Sequence, residues 1–192
     1  MSRPDVWLVR HGQTEWSASG RHTSVTDLPL LPAGEAAARR LAPLLTRHRF
    51  ALVMTSPMKR ARATAALAGF PGAMVDDDLC EWNYGDLEGM TSAQIHAQGG
   101  AFANWRIWTG PVPGGETAAQ VEARACRLLA RADAAEGDVL FFGHGHALRV
   151  FTAVALELDP RDGARFTLDT ATINVVGTEN GLRALSRWNV HE

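Results

Sequence analysis

Three short apolar runs constrain the fold of this chain more than any other feature. They are DVWLV at 5–9, ALVMT at 51–55 and VLFF at 139–142. Runs of this length without polar alternation read as strands buried on both faces. Helical patterning lies between them. Pro32-Ala33-Gly34-Glu35 opens an Ala/Leu/Arg-rich helix to about Arg47. Ser56-Pro57 reads as an N-cap followed by proline at the first helical position, with the helix running to about Ala68. Glu116 to about Ala135 forms a long amphipathic helix, and another runs from the Gly143-His144-Gly145-His146 segment to about Leu158. AMVDD at 73–77 adds a short strand, and INVVGT and LRALSRW flank the hairpin turn Glu179-Asn180-Gly181. Strands alternating with helices predict an α/β fold, a three-layer α/β/α sandwich with a mainly parallel sheet and an antiparallel edge. Residues 12–31 read as a long loop, and 78–115 as an irregular, cap-like insertion within a single domain spanning 1–192.

Composition removes several function classes. Apolar residues make up 46% and charged residues 21%, which is ordinary for a globular protein, and the formal net charge of −2 offers no basic excess for nucleic acid. No apolar stretch approaches a membrane span, and Arg10 interrupts the N-terminal run before it resembles a signal peptide, so a cytoplasmic protein with no membrane partner is expected. Cys80 and Cys126 stand far apart, which predicts buried, reduced thiols rather than a zinc site or a disulfide. Asp76-Asp77-Asp78 reads as a solvated turn, because adjacent side chains on an extended segment point in alternating directions. The oligomeric state, a homodimer included, stays open.

The chemistry sits where the strands end. Ligands of open α/β sheets bind beyond the carboxyl ends of the strands. Arg10, His11 and Gly12 follow the first run; Ser56, Pro57, Lys59, Arg60 and Arg62 follow the second; His144 and His146 follow the third. If these strands are neighbours, the cations converge, and such a cluster repels itself unless an anion occupies it. Arg60 lies at a helix start, where the macrodipole disfavours a cation but favours an anion; Lys59 and Arg62 read as a solvated basic face. No GxxxxGK[ST], HExxH or GxSxG occurs, so a P-loop, a zinc protease helix and a serine elbow are absent. A histidine beside an arginine remains, and imidazole attacks phosphorus when one ring nitrogen is unprotonated.

These residues resemble a known family. Leu8-Val9-Arg10-His11-Gly12-Gln13-Thr14 resembles the signature of the histidine phosphatase superfamily, the phosphoglycerate-mutase-like proteins. The segments 56–64, 79–89 and 143–149 resemble its further motifs, in the same order along nearly the whole chain. GQTEWSASGRHTSVTDLPL and DDDLCEWNYGDLEGM look like the branch of acid phosphatases and sedoheptulose-1,7-bisphosphatase-like enzymes. Ser17 stands where many relatives, mutases included, carry Asn, and that branch shares the serine. Ser24 is a departure, replacing the glycine of a common Thr-Gly pair and bearing on how the loop closes over substrate.

The resemblance implies roles. His11 attacks phosphorus and carries the phosphoryl group, while Arg10, Arg60 and His144 hold its oxygens without a metal or a cofactor. Glu81 protonates the leaving alkoxide and then activates water, a role favoured by an anionic phosphate alongside and matched to an acidic pH optimum. Thr14, Ser17, Thr23 and Ser24 belong to the substrate loop, Trp82, Asn83 and Tyr84 to the leaving-group side, and Gly145 to the last motif. Glu116 and Glu88 read equally as orienting groups or as ordinary structural residues. His22, His48, His96 and His191 read as structural, and His146 stays open. The activity implied is a phosphomonoesterase for small phosphorylated metabolites such as sugar phosphates or bisphosphates. A cofactor-dependent phosphoglycerate mutase is the second reading, disfavoured because Arg106 is the only Lys or Arg in residues 90–116. A catalytically weak phosphate-binding regulatory module is the third, disfavoured because His11, Arg60 and His144 are all present.

Overall fold

The computed structural model describes residues 3–191. Six strands form one sheet: β1 (Val6–Arg10), β2 (Leu52–Thr55), β3 (Met74–Val75), β4 (Val139–Gly143), β5 (Ile173–Glu179) and β6 (Leu182–Val190). Their order is β3-β2-β4-β1-β5-β6. The first four are parallel, whereas β5 runs antiparallel to β1 and β6 antiparallel to β5. The helices are α1 (Glu15–Ser19), α2 (Pro32–Leu45), α3 (Lys59–Leu67), α4 (Ser92–His96), α5 (Ala118–Asp133) and α6 (Gly145–Ala155).

Alternation along the central strands supplies two cores. Val6, Leu8, Val139 and Phe141 point to the side covered by α5 and α6, where Val121, Ala125, Leu128, Leu148 and Phe151 meet them. Val9, Leu140 and Phe142 point to the other side, against Leu41 and Leu45 of α2 and Ala65 of α3. Both faces are covered, which is why these strands read as unbroken apolar runs. The hairpin forms as expected: Asn180 and Gly181 take φ of 50° and 83°, the pair of positive values a type I′ turn requires.

The irregular segment does not stand apart from this core. Trp82, Tyr84, Leu87, Ile95, Trp105, Ile107 and Trp108 are buried in the same cluster as Leu8 and Phe141. Among the described residues, no helix is long and apolar enough to cross a membrane.

Several local expectations are corrected. Helix α3 begins at Lys59 with Met58 as its N-cap residue, not at Ser56-Pro57. The Ser56 hydroxyl accepts from the Met58 amide and pairs with His144, so the site has taken the side chain that would have capped the helix. The 12–31 loop contains α1, held by a capping box between Thr14 and Ser17 and closed by Gly20 at φ 73°. Asp76 and Asp78 are not a solvated turn. Asp76 caps a short 3-10 helix and pairs with Arg131, and Asp78 pairs with Arg127 at 2.5 Å. Cys80 is half-buried, and Cys126 is exposed because the core-facing side of α5 is taken by Val121, Ala125 and Leu128.

Candidate active site

The sheet order brings the three basic strand ends together. β4 lies between β1 and β2, with Arg10 level with Gly143 and Thr55 level with Phe142. A cavity of about 180 Å³ opens above them, lined on one side by Arg10, His11, Glu81 and Gly145. Gly12 lets the chain leave the strand closely packed: a Cβ there would lie 2.6 Å from the Gly34 carbonyl oxygen of α2. Its amide donates to Thr64 Oγ1 of α3 at 2.9 Å, so three elements fix the backbone beside His11.

Hydrogen bonding sets the protonation of His11. Its Nδ1 lies 2.7 Å from the Gly12 carbonyl, which can only accept, so Nδ1 carries the proton and Nε2 keeps a free lone pair. Burial, followed by Arg10 and Arg60, holds its pKa well below the usual 6.5. The nucleophilic form therefore persists into acid solution. His144 and His146 are held down in the same sense, first by burial and then by nearby cations.

A stability consequence follows from these three histidines. They stay neutral in the folded protein, while the unfolded chain takes up their protons below about pH 6.5. Their contribution is fully retained above that value and declines as pH falls, by up to about 1.4 kcal/mol per pH unit per histidine. Urea titrations between about pH 7.5 and 5 measure this as a falling midpoint; a level profile contradicts it.

Arg10 and Arg60 play different parts. Arg10 donates through Nη1 to the Leu168 carbonyl at 2.6 Å, but its buried Nε–H has no acceptor. A buried guanidinium donor without a partner beside a cavity is what an anionic ligand would satisfy. Arg60 is fully buried and does not line the cavity. Its Nε donates to His144 Nδ1 at 3.2 Å, Nη1 to the Thr26 carbonyl at 2.9 Å, and Nη2 to the Ser24 carbonyl at 3.0 Å. Because His144 Nδ1 accepts, its Nε2 carries the proton, which it donates to Ser56 Oγ at 2.8 Å. The His11 and His144 rings lie 5.1 Å apart, centroid to centroid, tilted at 58° to one another, and His144 does not line the cavity.

Glu81 is held by the amides around it. Oε1 accepts from Trp82 and Ala147 at 2.9 and 2.8 Å, and Oε2 accepts from His146 at 3.0 Å. Two amides fill Oε1, whereas Oε2 keeps a lone pair free to carry a proton. The amides of His146 and Ala147 belong to the first turn of α6, so Glu81 also caps that helix. Arg124 of α5 fixes the segment from behind, donating to the Asp78, Cys80 and Glu81 carbonyls and pairing with Glu116 at 2.9 Å. Glu116 in turn accepts from the Asn83 amide at 2.8 Å.

Comparison with known proteins places this arrangement. The family model of the histidine phosphatase superfamily (branch 1) matches residues 6–191. The chain belongs to the histidine phosphatase superfamily. It is 38% identical over 183 residues to an acid phosphatase of Mycobacterium tuberculosis, covering 93% of this chain and 89% of that protein. It is also 38% identical over 181 residues to sedoheptulose 1,7-bisphosphatase of Saccharomyces cerevisiae, covering 79% of this chain and 67% of that protein. A solved structure of a Mycobacterium tuberculosis open reading frame superposes with a TM-score of 0.91 at 36% identity, covering 98% of each chain. The acid phosphatase and sedoheptulose-bisphosphatase branch is thereby shown, and with it an enzyme that hydrolyses phosphate monoesters.

Within this histidine phosphatase, the expected site residues divide. Arg10, His11, Ser17, Thr23, Glu81, Tyr84 and Gly145 line the cavity. Thr14, Ser24, Trp82 and Asn83 do not. Thr14 is fully buried as the cap of α1, and Ser24 is buried against Glu88. Trp82 Nε1 donates to the Glu116 carbonyl, and Asn83 Oδ1 accepts from the Gly85 amide. Arg21, His22 and Arg149 line the cavity without having been singled out for it, and the structural reading of His22 is corrected. Arg149 sits five residues after His144 on α6, a spacing that was readable; Arg21 and His22 depend on loop shape. His22 and His146 also border a second cavity of about 410 Å³ with Trp105, Trp108, His96 and Arg106, and His96 keeps a structural part there, its Nε2 lying 2.9 Å from the Trp105 carbonyl oxygen. Among the described residues, no three His, Cys, Asp or Glu side chains cluster as metal ligands.

Proposed function

We propose that this histidine phosphatase hydrolyses small phosphorylated metabolites, sugar phosphates or bisphosphates, through a phosphohistidine on His11 and without a metal. The observation that carries the reading is the tautomer of His11, with Nδ1–H tied to a carbonyl and Nε2 free in a cavity shared with Arg10 and Glu81. His11 Nε2 forms a bond to phosphorus as the bond to the leaving oxygen breaks, and the proton on Glu81 Oε2 passes to that oxygen. Water then attacks phosphorus, the N–P bond breaks, and Glu81 takes the water proton. Arg10 offers its unpartnered Nε–H to the phosphoryl oxygens, and Arg60 and His144 support His11 from below.

The second cavity, which shares His22 and His146 with the first, gives the leaving group room. The similarity to an acid phosphatase and to sedoheptulose 1,7-bisphosphatase supports this substrate class. A mutase reading is less supported, since residues 90–116 contain Arg106 as their only Lys or Arg. The low pKa of His11 supports an acidic optimum, and a cytoplasmic location remains part of the same reading.

The test uses EDTA-treated protein with p-nitrophenyl phosphate, sedoheptulose 1,7-bisphosphate, and 3-phosphoglycerate plus 2,3-bisphosphoglycerate. Release of inorganic phosphate without isomerisation is the expected outcome, undiminished by EDTA. Isomerisation, or activity that returns only with added metal, overturns it.

A further inference from the structure

The loop that walls the cavity is held by a contact that a glycine at position 24 could not make. Arg60 grips the loop through its carbonyls, those of Thr23, Ser24 and Thr26. Glu88 grips the same loop through its amides, accepting from Ser24 N at 2.9 Å and Thr26 N at 3.0 Å. The peptide groups of 23–26 thus bridge a buried cation and a carboxylate. The Ser24 side chain adds a third connection. Its hydroxyl donates to Glu88 Oε2 at 2.5 Å and accepts from the Tyr84 amide at 3.3 Å. Ser24 is only 5% exposed and lies outside the cavity, so its hydroxyl faces the scaffold rather than the substrate.

We propose that Ser24 is a positioning residue, a latch that fixes loop 20–26 to Glu88 and Tyr84 and so pre-forms the substrate wall. Two parts of that wall depend on it. Gly20, Arg21, His22 and Thr23 line the cavity and enter the latch through residue 24. Tyr84 lines the cavity and places its hydroxyl 2.6 Å from His146 Nδ1, while its amide rests on Ser24. A hydrogen bond to a carboxylate is stronger than a neutral one, and a glycine would also leave the Tyr84 amide without this acceptor. With the hydroxyl in place, the loop is ordered before substrate arrives, and binding need not supply that ordering.

The kinetic part of the inference rests on the phosphatase reading, whereas its structural part does not. The experiment compares Ser24→Gly and Ser24→Ala with Ser24→Thr, which keeps the hydroxyl. Amide hydrogen exchange of residues 20–26 in the unliganded protein is expected to rise roughly tenfold in the Gly and Ala variants. The KM for p-nitrophenyl phosphate and the Kd of inorganic phosphate, measured by calorimetry, are expected to rise by roughly the same factor. The kcat should stay within about threefold, because Ser24 touches neither His11 nor Glu81, and Thr should restore the wild-type values. Unchanged exchange overturns the latch, as does faster exchange with KM and phosphate Kd left at wild-type values. A wild-type protein that hydrolyses no phosphomonoester would overturn the activity instead, and exchange and phosphate binding would still decide the role of Ser24.

Discussion

Replacing His11 with alanine abolishes the phosphoenzyme and lowers kcat by roughly 10⁴-fold or more, the scale on which removal of a covalent nucleophile acts. The expectation rests on a single atom. Nε2 is free because Nδ1 is tied to the Gly12 carbonyl, and the ring stays neutral because it is buried beside two guanidinium groups. Arg10 is untouched by the substitution, so phosphate should still bind, with loss of turnover but not of affinity. Acid-quenched labelling with a ³²P-phosphomonoester and calorimetry with inorganic phosphate separate the two. Residual turnover within tenfold of wild type would sink the covalent route.

The second large effect belongs to Glu81. Glu81→Gln should lower kcat for an alkyl phosphate such as glycerol phosphate by roughly 10²- to 10⁴-fold, the usual worth of a general acid. The p-nitrophenolate group leaves without a proton, so p-nitrophenyl phosphate should escape the loss in the first step. Hydrolysis of the phosphohistidine still lacks its base. The variant should therefore release about one equivalent of p-nitrophenol per site in a burst and then slow, because the intermediate accumulates. Equal losses on both substrates with no burst would remove Glu81 from the acid–base role. Gln places an amide where Oε1 or Oε2 now accepts from backbone N–H groups, so some loss of stability at the start of α6 is expected as well.

Much of this site is legible in the sequence because strand ends in a parallel sheet have a fixed destination. The runs ending at Arg10, Thr55 and Gly143 needed only to be neighbours, and β2, β4 and β1 are. The roles that escaped reading depend on partners far along the chain. Arg124 fixes a segment more than forty residues upstream, and Glu88 reaches back more than sixty residues to Ser24. No local pattern marks such pairs. The errors at Ser56 and Thr14 share one cause. A small hydroxyl side chain serves a helix cap or a site equally well, and the packing around it decides which. Ser56 went to His144, and Thr14 went to α1.

The place of β1 in the sheet has a consequence for how an active molecule comes into being. Residues 6–10 leave the ribosome well before their neighbours on either side, β4 at 139–143 and β5, which begins at 173. In a nascent chain the strand that carries Arg10 and His11 gains its two neighbours only once residues 139–179 have been made. Contacts this distant in sequence form late and slowly. The cavity that Arg10 and His11 line is walled on other sides by Gly145, His146, Arg149 and Leu168, so it is complete only once those residues have joined the first strand.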